Sequence, residues 1–307
     1  QFGGFLLSPG IRTTSSPHLG QSFIEPRFRG EFETGPHKLS VAAGLYNQPI
    51  VGVSDRRDAT SVFTAYTVAP DQQTPEALHL LGGYRLQPAS FIDMSIEGFY
   101  KDLKNLSVSE FTAVPRLTTA LEPADGEAYG MDLRAEARPG KSTFSATYGL
   151  SFVNYTTVSD RNRVLYGDPV LTFRPGHDRR HQVTLVASGP VFGVDLSARW
   201  QFGSGLPYSR ALGFDVFLEP TSSPDLFNDP GQARVLYERP FNGILPTYSR
   251  LDLSADREFD IGPVHLTAQV GVINAYDRRN LFAFDIFTLR RSDQLPLIPT
   301  FGFKMET

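Results

Sequence analysis

Residues 192–202 read FGVDLSARWQF and carry the clearest structural pattern in the sequence. Apolar side chains alternate along it with polar or charged ones. Successive side chains of an extended strand point to opposite faces of a sheet, so the alternation places one kind on each face. The stretch therefore predicts a β-strand with one apolar and one ionic face. The apolar set is Phe192, Val194, Leu196, Ala198, Trp200 and Phe202, and the opposing set is Asp195, Ser197, Arg199 and Gln201.

The same alternation recurs along the whole chain. Residues 250–256 repeat it, with Leu251 and Leu253 opposing Arg250 and Asp252. Phe99 is an exception, because it occupies an ionic-face position of its strand. The pattern predicts about eleven strands. They lie at 21–33, 38–47, 77–86, 91–101, 129–138, 143–155, 181–188, 192–202, 250–256, 264–274 and 300–307.

Two kinds of connection alternate between these strands. Short turn signals stand at Gly35-Pro36, Gln87-Pro88, Pro139-Gly140, Gly189-Pro190 and Gly262-Pro263. Longer, polar connections are predicted near 51–74, 104–125, 158–178, 205–246 and 277–294, and residues 1–19 are predicted to form a further outer loop. An antiparallel up-and-down barrel of the outer membrane has this asymmetry, with clipped turns on the periplasmic side and long loops outside.

Composition removes several other classes of protein. The 307 residues are 40% hydrophobic and 12% aromatic, which suits a wall in which only alternate residues meet lipid. No run of about 18 apolar residues exists, so a spanning α-helix is excluded. The absence of cysteine removes disulfides and thiolate metal sites, and the net charge of -4 gives no support for binding nucleic acid.

Charge decides which face of the sheet meets lipid. An arginine placed near the bilayer midplane costs roughly 2–4 kcal/mol, so the apolar face is expected to point outward. Aromatic residues at strand ends are expected to form an outer interfacial girdle of Tyr46, Tyr100, Phe152, Tyr155, Trp200 and Tyr248. The ionic face is expected to line the lumen, where it either anchors a plug or solvates a wet interior. Its members are Asp93, Glu97, Asp132, Arg134, Glu136, Arg199, Arg250 and Asp252.

An odd count of strands predicts half a barrel. Bacterial single-chain barrels have even strand numbers, and an open sheet edge in lipid leaves unpaired backbone groups that cost several kcal/mol each. Doubling eleven gives about the 22 strands of plugged transporters. The start at Gln1–Leu7 lacks an initiator Met and a signal peptide, which is interpreted as an internal cut.

Seven short phrases stand in order along the chain: EPRF (25–28), LYNQP (45–49), IEGFYK (96–101), AYGMDL (128–133), HDRRH (177–181), SGLPY (204–208) and NAYDRRN (274–280). Together they resemble TonB-dependent outer-membrane receptors, in the C-terminal half of the β-barrel. The resemblance implies active, TonB-coupled import of a scarce solute such as siderophore-iron or cobalamin across the outer membrane of a Gram-negative-type bacterium. It also implies several partners: the remaining barrel half, a plug domain, TonB through an N-terminal region, lipid and lipopolysaccharide. The C-terminal Thr307 departs from the aromatic residue that is common in this family.

Arginines recur in the predicted loops. Their guanidinium groups suit carboxylates and phosphates, so contact with an anionic solute or lipopolysaccharide is one interpretation, and ordinary ion pairing within the loops is the other. His177 and His181 lie four apart, but a metal site usually needs three or four converging ligands, so none is predicted. The arginines are Arg56, Arg57, Arg161, Arg163, Arg278, Arg279, Arg290 and Arg291.

Three other functions remain open at this stage. A passive porin-like channel would need no plug, and a structural barrel subunit of a multi-chain complex would need no solute. An outer-membrane hydrolase is the enzymatic alternative. The sequence contains no HExxH, GxSxG, phosphate-loop or Rossmann glycine pattern, so no catalytic, cofactor or metal residue is predicted.

Overall fold

The computed structural model describes residues 4–53, 58–60, 64–67, 73–109, 111, 121–217, 232–285 and 289–306. Twelve long strands dominate this part of the chain. They are β1 (Phe5–Ser16), β2 (Gln21–Thr34), β3 (His37–Asn47), β4 (Glu76–Ala89), β5 (Ile92–Ser109), β6 (Leu121–Ala137), β7 (Thr143–Val158), β8 (His181–Val191), β9 (Val194–Gly203), β10 (Tyr248–Ile261), β11 (Val264–Ile273) and β12 (Ile298–Glu306).

The twelve strands form one antiparallel sheet in which each strand pairs with its neighbours in chain order. A short strand, Val170–Phe173, also pairs with β7. Among the described residues β1 and β12 are the two edges, and they do not pair with each other. The predicted all-β, antiparallel up-and-down fold is therefore confirmed, as an open sheet.

Contacts between loops of distant strands show that the sheet is curved. Asp58–Thr60, in the connection after β3, pairs with Leu281–Asp285, in the connection after β11. Those two strands are far apart in the order of the sheet. Their loops meet only if the sheet bends into a trough, as the wall of a barrel does.

The prediction that residues 1–19 form an outer loop is wrong. Phe5–Ser16 is a strand that pairs with β2 along its whole length, which makes twelve long strands and removes the argument from an odd count. Ser8-Pro9-Gly10 favoured the prediction of a loop, because Pro and Gly are typical of turns. Strand β1 accommodates Pro9 as its neighbour β2 accommodates Pro26, since each proline removes only one ladder hydrogen bond.

The predicted loop at 104–125 is also wrong in its bounds. Strand β5 continues to Ser109 and β6 begins at Leu121, and Asn105 accommodates a bulge in this register with a φ of 56°. Two short turns lie a little after their predicted positions, at Ser90–Phe91 and Phe192–Gly193. Other long connections contain structure of their own, including helix α1 (Asp160–Tyr166) and the paired strands Ala211–Phe217 and Gln232–Tyr237.

The register separates apolar from ionic residues across the sheet. One row of paired positions reads Tyr84, Ile96, Leu133, Tyr148, Val183 and Phe202 from β4 to β9. The row next to it, one residue along each strand and on the opposite face, reads Arg85, Ser95, Arg134, Thr147, Thr184, Gln201 and Arg250. We call these faces the apolar face and the ionic face.

Few large apolar side chains are buried within the described chain. Those that are buried include Phe111, Leu171 and Phe173, which cluster at the end of β7, where Leu171 and Phe173 lie on the short strand paired with it. Many side chains of the apolar face are exposed, among them Ile11 at 74% and Phe301 at 75%. In the described part of the chain, no helix combines the length and apolar character needed to span a bilayer.

Candidate functional site

All eight predicted ionic-face residues lie on the same face of the sheet, as the strand registers establish. Asp93 and Glu97 stand on β5, and Arg199 stands on β9. The remaining five occupy β6 and β10, namely Asp132, Arg134, Glu136, Arg250 and Asp252. The period of two carries over from sequence to structure because the register is unbroken between the positions that carry these residues, and this keeps each set on its own face.

Two ion networks occupy the short-turn end of the ionic face. Arg85 binds both carboxylate oxygens of Asp93, with Nε at 2.9 Å from each. Glu136 receives Arg134 at 2.8 Å and also pairs with Arg138. These five side chains border a shallow cavity of about 430 Å³. This end of the ionic face is thus a charged surface on which three arginines meet two carboxylates.

A third network joins the ionic face to a loop. Arg250 donates from Nε to Asp252 at 2.7 Å, and Arg199 stands opposite Asp252 in the register. Asp252 Oδ1 also accepts the backbone N–H of Asn274 at 2.9 Å. Asp252 therefore holds the start of the connection after β11 while it balances the cationic charge beside it.

Glu97 and Asp132 stand directly opposite each other on β5 and β6. Like charges in this position destabilise a sheet unless a cation lies near them. Within the described residues neither carboxylate has an ion pair within 4.0 Å. Their flanking partners in the same row are glycines, Gly83 on β4 and Gly149 on β7. The row presents two uncompensated negative charges to the space in front of the ionic face.

A strip of cationic and aromatic side chains crosses the ionic face nearer the long connections. The Arg27 guanidinium lies 4.6 Å from the Tyr46 ring, which packs on His79 at 4.5 Å. His79 faces Lys101 across the register, and the Lys101 ammonium lies 5.3 Å from the Phe99 ring. Phe99, the exception in the alternation, is thus part of this strip.

Three of the six predicted girdle residues lie on the apolar face, as a girdle requires, and the prediction is wrong for the other three. Tyr100 and Phe152 lie on the apolar face, in one row with Tyr129, and Trp200 shares that face. The other three lie on the ionic face, because each has the same parity as the charged residues of its strand, and this signal was available in the sequence. They are Tyr46, Tyr155 and Tyr248.

An aromatic platform lies at the end of β7. Phe173 packs edge-on against Phe111 at 5.2 Å and stacks on Phe241 at 5.5 Å, and Tyr155 packs against Phe173 at 6.1 Å. These residues come from four separate parts of the chain. We call them the loop platform, and they fix the long connections to one another. Sequence reasoning did not find it, because its members are scattered.

His177 borders the loop platform. Its ring lies 5.7 Å from that of Tyr155, with Nε2 at 3.4 Å from the tyrosine hydroxyl. Burial lowers the pKa of His177 below its ordinary value, and the nearby Asp178 opposes that shift. The other candidate histidine, His181, binds a different tyrosine, since its Nδ1 lies 2.9 Å from the Tyr148 hydroxyl. The structure therefore does not bring the two rings to one site.

Asp178 is the buried anchor of this region. Its side chain is fully buried and accepts Arg174 Nε at 2.7 Å and the backbone N–H of Val153 at 3.2 Å. Arg180 lies 3.6 Å away and its guanidinium also stacks over Phe152 at 5.0 Å. One carboxylate thus joins the 159–180 connection to strand β7 and compensates for its own burial.

Buried polar residues do the same work at other strand ends. Glu25 accepts the backbone N–H of Asn47 at 2.8 Å. Asn280 accepts the backbone N–H of Ser249 at 3.0 Å and donates to its carbonyl at 2.8 Å. Asn274 donates to the carbonyl of Arg278 at 3.0 Å. The phrases EPRF, HDRRH and NAYDRRN therefore contain the side chains that satisfy backbone groups where the sheet ends.

The predicted loop arginines have mixed outcomes. Arg56 and Arg57 lie outside the described residues. Arg161 and Arg163 are in α1, and Arg163 lies 3.9 Å from Asp160. Arg278 donates to the Thr247 carbonyl and hydroxyl at 3.0 Å each. Arg291 pairs with Asp293 and donates to the Arg279 carbonyl at 2.5 Å. Arg279 and Arg290 are exposed. Because Arg163, Arg278 and Arg291 bind different partners, the arginines do not form one site.

The comparisons with known proteins give one kind of match. No family model and no curated protein matches the chain. Solved structures do match over nearly its whole length. The siderophore receptor PirA of Acinetobacter baumannii aligns with a TM-score of 0.58 at 8% identity, over 98% of this chain and 43% of PirA.

Two further structures agree with it. The outer membrane transporter YddB of Escherichia coli aligns with a TM-score of 0.57 at 12% identity, over 99% of this chain and 43% of that one. The ferric citrate transporter FecA aligns with a TM-score of 0.59 at 14% identity, over 100% of this chain and 43% of that one. The chain thus spans less than half the length of the proteins that it resembles. It has the barrel-wall fold of TonB-dependent outer-membrane siderophore receptors, over a share consistent with the C-terminal half of such a barrel.

Proposed function

We propose that this chain is barrel wall of an outer-membrane, TonB-coupled importer of a scarce solute such as siderophore-iron or cobalamin. The observation that carries the proposal is the separation of charge across twelve strands of a curved sheet with long connections at one end. In a soluble sandwich the apolar face would be covered by a second layer. Here it is widely exposed, as Phe303 at 79% and Ile11 at 74% illustrate.

The energetic argument favours lipid on the apolar face. Turned the other way, Arg134, Arg199 and Arg250 would lie in hydrocarbon at roughly 2–4 kcal/mol each near the midplane. Three such residues would remove a stability of the size that a whole domain has. The ionic face is therefore the wall of a water-filled lumen, and the outward face meets lipid and lipopolysaccharide.

The rest of the machine is proposed to come from further sequence, in the same protein or in another chain. The edges β1 and β12 need strands to pair with, since unpaired backbone groups in lipid cost several kcal/mol each. A plug would fill the lumen and contact the ionic face, where its cationic side chains would pair with Glu97 and Asp132. TonB would act through an N-terminal region outside this chain. The chain itself would supply wall and outer loops and perform no catalysis.

The exposed loop arginines are proposed contacts for an anionic solute or for lipopolysaccharide phosphate. Arg279 and Arg290 are the best placed of the described set, because Arg163, Arg278 and Arg291 already serve bonds within the loops. Replacing Arg279 and Arg290 with glutamine should weaken binding of an anionic solute. The same change at Arg163, as a matched control, should leave solute affinity as it was.

Solute uptake tests the proposal. A strain deleted for the gene is complemented with the encoded protein, and uptake of ferric siderophores and cobalamin is measured with and without a functional TonB. The expected result is uptake of one solute class that stops when TonB is removed. Uptake that persists without TonB would indicate a passive porin-like channel. Correct assembly with no effect on any solute would indicate a structural subunit of a larger complex.

A further inference from the structure

The turn between β8 and β9 contains a residue in an unfavourable conformation. Phe192 and Gly193 form the turn, with φ values of 50° and 78°. Val191 pairs with Val194 on either side, so this is a two-residue hairpin turn with both central residues at positive φ. Such turns strongly prefer Asn-Gly or Asp-Gly. A bulky side chain in this region is strained because its Cβ crowds the following carbonyl oxygen.

The strain at Phe192 has no compensation inside the described chain. Phe241 also has a positive φ, of 54°, but its ring stacks on Phe173 at 5.5 Å in the loop platform. The Phe192 side chain is instead 102% exposed. The short turns at Gly35 and Gly262 place glycine at positive φ, so hairpins of this sheet do not require an aromatic residue there. Strain that persists without packing points to a contact outside the chain.

The surroundings of Phe192 indicate what that contact is. Val191 and Val194 form a pair on the apolar face, directly at the base of the turn. Phe144, half exposed, lies on the same face of neighbouring β7. Phe192 therefore extends the apolar face past the end of the strands, at the end of the sheet with the short turns. Aromatic rings are favoured where hydrocarbon gives way to headgroups.

We propose that Phe192 inserts into the bilayer interface at the short-turn end of the wall, where the lipid contact offsets the strain of the turn. The inference rests on the proposed function, since it requires the apolar face to meet lipid. It goes further by assigning a lipid contact to one turn residue. A protein bound at this end of the wall is the competing occupant.

The chain contains a single tryptophan, Trp200, which lies on the apolar face and serves as an internal reference. The protein as encoded is reconstituted in vesicles of phospholipids brominated either near the headgroup or near the chain end. Three proteins are compared by quenching of tryptophan fluorescence, after subtraction of the emission of the Trp200→Phe protein, so that tryptophans in the rest of the encoded protein do not contribute. The three are the unmodified protein, Phe192→Trp in a Trp200→Phe background, and Asp195→Trp in the same background.

The inference predicts that the tryptophan at 192 loses at least half of its emission in lipid brominated near the headgroup, and less in lipid brominated near the chain end. The control at 195 should keep its emission in both, because Asp195 lies on the ionic face. If Trp200 is quenched and the tryptophan at 192 is not, the inference is overturned and the proposed function stands. Protection of the 192 tryptophan from aqueous iodide without lipid quenching would overturn it in favour of a bound protein. If Trp200 itself is not quenched, both proposals fail.

Discussion

Replacing Asp178 with alanine should release the connection between β7 and β8. The carboxylate is fully buried and serves Arg174 at 2.7 Å and the backbone N–H of Val153 at 3.2 Å. Removing it leaves a cation and a backbone donor without their acceptor in a site that water does not reach easily. The change adds no bulk, so its effect comes from lost bonds and not from overpacking.

The magnitude follows from the exposure of the partners. Breaking a fully buried ion pair costs about 3–5 kcal/mol. The side chains of Arg174 and Arg180 are 26% and 37% exposed, so water recovers part of that loss. We therefore expect a cost of about 2–3 kcal/mol. At about 1.4 kcal/mol for each tenfold change, this is a rise of roughly thirty- to hundredfold in local opening.

Hydrogen exchange measured by mass spectrometry is the assay, because it reports local opening without unfolding the whole sheet. Peptides that cover the end of β7 and the segment around Asp178 should exchange faster by that factor. Asp160→Ala is the matched control, since the Asp160 side chain is 95% exposed and lies 3.9 Å from Arg163. The control should exchange nearly as the unmodified protein does. Equal exchange rates in the two variants would refute the argument from burial.

Three further predictions concern other parts of the wall. Asn280→Ala should lower the free energy of opening the connection after β11 by about 2 kcal/mol, because it removes two hydrogen bonds to the Ser249 backbone. Hydrogen exchange in that loop should rise accordingly. Leu133→Arg, on the apolar face, should lower the free energy of unfolding by up to roughly 2–4 kcal/mol, measured from the folded fraction in lipid vesicles. Thr147→Arg, on the ionic face, should lower it far less. Equal losses would show that the faces are assigned wrongly. Burial lowers the pKa of His177 below 6.5, so the opened loop binds a proton before the folded loop does as pH falls. Protection of the 159–180 connection from hydrogen exchange should therefore be full above pH 6.5 and decline below it. His177→Phe should abolish that pH dependence.

Most of the fold can be predicted from local pattern. The alternation in FGVDLSARWQF and in 250–256 identifies strands, and the charges on one stripe identify the face that avoids lipid. Both signals are local, since a period of two needs only an extended chain. The same parity places Tyr46 and Tyr155 with the ionic residues, and the structure confirms parity over the expectation that they join the outer girdle.

Signals that were missed are weak or masked by turn-forming residues. Strand β1 contains Pro9 and Gly10, which are typical of loops by composition, and yet it pairs with β2 along its whole length. The outer parts of β5 and β6 carry a bulge at Asn105 and lose the regular alternation. Neither feature can be read without knowing which strand is the neighbour.

By itself the sequence determined the type of element, the two chemical faces and the sidedness of the connections, because each depends on residues close together in the chain. Only the tertiary structure decided which side chains share a site. Strand pairing set Glu97 against Asp132, and packing between connections brought Phe111, Phe173 and Phe241 together and placed Asp178 against the backbone of β7. These contacts join residues far apart in sequence. No local period encodes them, because they depend on register and on the curvature that brings distant loops together.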